Sequence, residues 1–221
     1  MKRLFATAAV IAITTTSSFA QTTFGIQAGV INSNWKGDAL KSLNTIVDLT
    51  KGIITTKSKT GFSIGGYANI PLADKFSFEP GIGYSQKGYI MQGDINIEAL
   101  KFLGTNTSAK VETHYIDVPL VLKAEAAKGL SIYAGPQFSY LLKNNLHVNA
   151  GILGVSLLNK KLDITNNFNR IDMGITGGIA YKFDNGLNIK AGYDHGLSKL
   201  DKNENLKAYN RAIKLTVGFS F

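Results

Sequence analysis

Asp194, His195 and Ser198 supply an acid, a base and a nucleophile within one short stretch of the chain. A relay of that kind needs the three side chains to converge. Asp194 and His195 are adjacent in a run of alternating hydrophobicity, and strand neighbours point to opposite faces, which breaks the relay at its first link. His114, His147 and His195 offer imidazoles for a metal, but nothing in their spacing forces them together. The sequence has no cysteine, so disulfides and thiolate chemistry are excluded. The pairs Gly65-Gly66 and Gly177-Gly178 lie inside strand-like runs and are not phosphate loops. Glycine there marks a bend or the close packing of a neighbour's side chain. No catalytic, cofactor-binding or metal-binding residue is assigned, and a non-enzymatic protein is expected.

A larger set points to ion pairing. Glu79, Asp117, Glu125, Asp172 and Asp194, with Lys87, Lys123, Lys182, Lys190 and Lys214, all fall on the polar face of period-two segments. Eight such segments are read, at about Thr23–Asn32, Gly61–Pro71, Phe76–Ile90, Thr113–Glu125, Leu130–Leu142, Arg170–Phe183, Leu187–Ser198 and Tyr209–Phe221. Each is long enough for a tilted strand to cross a bilayer. The links alternate in length. Leu72–Lys75, Ala126–Gly129 and Asp184–Gly186 are tight turns. Ser33–Thr60, Met91–Glu112, Lys143–Asn169 and Lys199–Ala208 are long. Short turns at one rim and long loops at the other are the layout of an outer-membrane barrel. The fold expected is all-β: an eight-stranded antiparallel up-and-down transmembrane β-barrel, with both termini on the short-turn, periplasmic side.

Magnitudes decide which face meets lipid. The last segment sets Ile213, Leu215, Val217, Phe219 and Phe221 against Lys214, Thr216, Gly218 and Ser220. A lysine facing lipid at mid-depth costs roughly 2–4 kcal/mol, so the charged face points inward. A soluble barrel of the opposite sense would expose a belt of Ile, Leu and Phe far beyond an ordinary surface patch. An eight-stranded barrel is just wide enough inside for side chains to fill. Inward acids and lysines in equal number then satisfy one another, which predicts a plugged lumen and no channel of porin width. Phe24, Phe76, Phe183 and Phe221 are expected near the periplasmic rim, and Trp35, Tyr89, Tyr115, Tyr140 and Tyr209 near the outer one. Pro80, Pro119 and Pro136 lie within strand segments, where each removes a ladder donor. Pro119 and Pro136 should lie almost opposite, which suggests a shared bulge.

The first 20 residues read as a secretory signal peptide. Lys2 and Arg3 precede an apolar run from Leu4 to Ile13, and Ser18-Phe19-Ala20 offers a small-x-small cleavage site. Residues 21–221 then form the barrel domain, beginning at Gln21, and the lack of cysteine excludes a lipoprotein. The net charge of +9 is scattered without a Lys/Arg block, so nucleic acid is not expected as a partner. Two long links carry apolar residues. Asp38–Thr50 spaces Leu40, Leu43, Ile46, Val47 and Leu49 as a short rim helix would, behind an Asp38 cap. Leu146–Leu158 is apolar for an exposed loop and reads as a docking surface, a strand extension or loop-to-loop packing.

Phe24-Gly-Ile-Gln-Ala-Gly-Val30 with Asn32-Ser-Asn34 resembles the opening strand of the PorT-like outer-membrane β-barrel family. Glu79-Pro-Gly-Ile-Gly-Tyr-Ser-Gln-Lys-Gly88, Tyr115-Ile-Asp-Val-Pro-Leu-Val-Leu-Lys123 and Tyr133-Ala-Gly-Pro-Gln-Phe138 resemble later strands of it. The resemblance runs across residues 21–221. It implies eight strands with Pro119 and Pro136 as ordinary features, and it carries over no catalytic motif. It also makes Phe219 and Phe221 resemble the C-terminal signal read by the barrel-insertion machinery. The function expected is an envelope-structural or partner-binding barrel acting through its extracellular loops. Outer-membrane lipid, lipopolysaccharide and an envelope protein docked on residues 33–60 and 143–169 are the expected partners. An outer-leaflet lipid-modifying enzyme or a small-ligand transporter is the alternative.

Overall fold

The computed structural model describes residues 22–37, 54–94, 105–152, 155–202 and 207–221. Its strands are β1 (Thr23–Gly37), β2 (Ile54–Ala73), β3 (Phe76–Asp94), β4 (Thr105–Ala127), β5 (Leu130–Ile152), β6 (Val155–Asp163), β7 (Ile171–Lys182), β8 (Leu187–Gly196) and β9 (Ala208–Ser220). Eight of them close an antiparallel ring in the order β1-β2-β3-β4-β5-β7-β8-β9, with β9 paired back onto β1 from Gly25↔Ser220 to Gly37↔Ala208. Closure leaves the ring no free edge, the condition for a sheet to sit in lipid.

The alternation places the side chains. Ile26, Ile64, Ile82, Ile132, Ile175 and Leu215 point outward at 50–62 % exposure, whereas Glu79, Lys87, Asp117, Asp172, Lys190 and Asp194 point inward at 8 % or less. Two of the three turns are tighter than the sequence suggests, and the third spans residues 183–186. Asp74-Lys75 joins β2 to β3, and Lys128-Gly129 joins β4 to β5. Gly129 (φ 77°) and Gly186 (φ 89°) occupy the left-handed conformation that these short connections require.

The far ends differ from the expectation. β1, β3 and β5 continue to Gly37, Asp94 and Ile152, while β2 and β4 begin at Ile54 and Thr105. Much of what reads as long loop is therefore barrel wall. Above the lipid the chemical pattern relaxes because the outward face no longer meets hydrocarbon, but the ladder hydrogen bonds still favour pairing. Leu146–Ile152 belongs to β5, and β6 returns along it from Val155↔Ile152 to Asp163↔Asn145. That is the strand-extension reading of the Leu146–Leu158 segment. Asp38–Thr50 and residues 1–20 lie outside the described residues.

The prolines also correct an expectation. Pro119 pairs with Gln137, and the β4–β5 register is the same on both sides of Pro119 and Pro136. The shared bulge is not there. The ladder instead lapses at residues 120–121 and 135–136 without changing register, because a missing donor removes a bond but inserts no residue. The register shifts of this pair fall at His114/Tyr115 and Glu125/Ala127.

Candidate functional site

The interior is layered along the barrel axis. Near the periplasmic end, Glu79 on β3 accepts from Lys190 on β8 and lies 3.6 Å from the Lys123 Nζ. The Lys190 ammonium also sits 4.0 Å from the centre of the Tyr67 ring, a cation–π contact. The Tyr67 hydroxyl in turn accepts from Asn188 Nδ2 at 2.8 Å and lies 2.9 Å from Ser220 Oγ.

The next layer holds two acids and two lysines. Lys87 Nζ lies 3.1 Å from Asp117 and 3.7 Å from Asp194, and Lys214 Nζ lies 2.7 Å from Asp194. Ser85 and Ser139 donate to Asp117, and Gln137 donates to Asp194 at 3.4 Å. The remaining lone pairs are thus partly satisfied, as buried ion pairs require. Above it, Asp172 accepts from Asn210 Nδ2 at 2.6 Å and from Ser198 Oγ at 2.7 Å.

Eight of the ten inward charges read from the sequence lie within these layers. Glu125 and Lys182 do not. Both are exposed at the periplasmic rim, where they line a vestibule of about 480 Å³ together with Lys123, Lys128 and Asp184. The strand parity of both is inward, but they sit beyond the depth at which the opposite wall covers them.

The outer end is apolar. Trp35, Val111, Tyr115, Leu141, Phe168 and Leu200 form a buried cluster against which Tyr89, Leu146 and Ile164 pack. Trp35 stacks at 4.5 Å from Tyr89 and 5.4 Å from Phe168. The segments that bring in Phe168 and Leu200 are tied together by Asn169 N donating to Leu200 O at 2.8 Å and by a Phe168↔Asp201 bridge. Trp35 and Tyr115 therefore face the lumen at 6 % and 1 % exposure, and do not belong to the lipid-facing aromatic rim. Tyr140 is outward at 52 %, as are Phe24, Phe76, Phe183, Phe219 and Phe221 at 39–70 %.

Sequence reasoning missed the residues that thread the charges together. Tyr133 stands over Gly178 and Gly192, where a Cβ at either position would collide with its hydroxyl. Tyr67 and Tyr133 both lie on the inward parity of their strands, and that was the available signal. The candidate relay is dispersed: Asp194 is buried, His195 is exposed on the outer surface, and Ser198 bonds Asp172. His114 contacts Tyr84 and lies 3.3 Å from Glu112, while His147 pairs across the ladder with Lys161. Among the described residues no group of three His, Cys, Asp or Glu side chains is arranged to hold a metal.

The chain is similar to several solved barrel structures at low identity. Neisserial surface protein A is 14 % identical with a TM-score of 0.44, covering 89 % of this chain and 95 % of that one. Ail, the attachment invasion locus protein of Yersinia pestis, is 12 % identical with a TM-score of 0.47, covering 90 % and 99 %. OprG of Pseudomonas aeruginosa is 11 % identical with a TM-score of 0.36, covering 90 % and 95 %. No curated protein matches the chain. Residues 19–202 match the family model described as the outer membrane protein beta-barrel domain. The chain belongs to that family, and its place is the outer membrane.

Proposed function

We propose that this outer-membrane β-barrel is a closed, non-enzymatic barrel that acts through its outer face, in envelope structure or in binding a partner. The observation that carries the reading is the stacking of two seals. Ion pairs span the lumen at Glu79 and at Asp117/Asp194, and the Trp35–Phe168 cluster covers the outer mouth. A solute entering from the periplasmic vestibule would have to separate buried ion pairs and then part a packed apolar cap. Both steps are costly. The outer segments at 33–37, 54–60, 143–152 and 155–169 are the ground for an envelope partner. Outer-leaflet lipid and lipopolysaccharide would surround the apolar belt, and Phe219 and Phe221 would serve the insertion machinery.

The test is conductance in planar bilayers. The folded chain should show no steady current, and a steady porin-like current would overturn the reading. Mass spectrometry of the protein purified from membranes should give a mature chain beginning at Gln21. Deleting Phe221 should lower the folded yield in membranes.

A further inference from the structure

The outward wall of β4, β5 and β6 changes character above the apolar belt. Lys110, His147 and Lys161 are successive cross-strand partners in one row, and Glu112, Asn145 and Asp163 form the next. A third row, nearest the belt, pairs His114 with Lys143. Directly opposite residues of an antiparallel ladder share a face. The one-residue shift between His114 and Tyr115 sets which face that is. It turns Leu146 into the apolar cap and leaves Lys143 and His147 on the outside.

The two carboxylates neutralise this face only in part. Glu112 is shared by the buried Lys59 at 3.6 Å and Lys110 at 3.5 Å, and Asp163, which accepts from Thr165, has Lys143 and Arg170 nearby, so two acids face a larger number of cations. The Lys143 and Lys161 side chains are exposed. At about 4.8 Å between strands and about 3.4 Å per residue, Lys110 and Lys161 stand roughly 10 Å apart across β5 and Lys143 roughly 14 Å from Lys110, a spread suited to more than one phosphate. Just below lie Tyr140, Leu142 and Ile171, all outward and 44–61 % exposed. A ligand matching this wall is anionic above and hydrocarbon below. Lysines serve as point charges for phosphate, and charge and burial together favour a phosphorylated lipid over a soluble anion.

We propose that the β4–β6 wall, through Lys110, Lys143 and Lys161, binds the phosphates of a lipid A-type glycolipid of the outer leaflet. This rests on the reading that outer-leaflet lipid is a partner and gives it a site. The full chain is folded into phosphatidylcholine vesicles, alone or with bisphosphorylated or dephosphorylated lipid A, and its unfolding midpoint is read from heat-modifiable mobility. Bisphosphorylated lipid A should raise the midpoint by on the order of 5 °C, and dephosphorylated lipid A should not. The K110Q/K143Q/K161Q variant should lose the increment, while K75Q/K128Q at the periplasmic turns should keep it. No increment in the native chain overturns both the lipid reading and the site. An equal increment in the triple variant, or from inorganic phosphate alone, overturns only the site. Should the triple variant not fold, acylation of lysines in the native chain replaces it. Lipid A should protect Lys110, Lys143 and Lys161, and equal labelling with and without it overturns the site.

Discussion

The two mouths of this barrel are built from similar strands and solve opposite problems. At the periplasmic end the strands are joined by turns as short as Asp74-Lys75, too short to fold over the opening, and a polar vestibule of about 480 Å³ remains. At the outer end the chain is long enough to return. It uses that length to bring Phe168 and Leu200 onto Trp35 and Tyr115. The vestibule can stay hydrated because its lining is Lys123, Lys182, Glu125 and Asp184, whereas water would gain few hydrogen bonds at the outer cap. The ion-pair layers lie between the two mouths and partition them. On the proposed reading, closure of this barrel depends on connection length as much as on lumen radius.

Breaking the partition should have the largest effect. Asp194→Ala leaves Lys214 and Lys87 short of a buried partner and should cost about 3–5 kcal/mol in urea unfolding from vesicles. Trp35→Ala removes the centre of the outer cap and should cost about 3 kcal/mol. If that variant is as stable as the parent, the contrast between the mouths is wrong. Gly192→Val displaces Tyr133 from the lumen and should cost about 1–3 kcal/mol, read from the same unfolding curves. At the open end, Lys128→Ala breaks a 3.5 Å pair with Asp184 whose side chains are 86 % and 89 % exposed, and should cost under about 0.5 kcal/mol. The smallest effect is local and pH-dependent. Thr165 donates to Asp163 through its hydroxyl and its amide, which holds the Asp163 carboxyl below the usual carboxylate range. The folded value being the lower one, the turn is fully stabilised above about pH 4 and loses that support as pH falls through the depressed value. Amide exchange at Thr165 should follow this titration, and Asp163→Asn should abolish the dependence.

Period-two alternation was enough to separate the lipid face from the lumen face on every strand that carries it. Each side chain's solvent is dictated locally: Lys190 between Ile189 and Ala191 has only one affordable direction. Short turns were legible for the same reason, since Gly129 and Gly186 mark backbone that few other residues adopt. The sequence therefore determined the ring of eight strands, which face meets lipid, and eight of the ten charges that fill the lumen, but not the rim position of Glu125 and Lys182 or the burial of Lys59. It did not determine how the inward charges pair. Lys87 could have met any inward acid, and its meeting with Asp117 and Asp194 depends on register and on the stagger between β3, β4 and β8. Alternation does put Trp35 on the face of Ile31 and Tyr115 on that of Asp117, apart from Tyr140, but it could not show what those two rings meet inside. The depth of the two residues and the returning segments around Phe168 and Leu200 supplied their partners. Those are long-range facts, fixed only when distant parts of the chain compete for the same space.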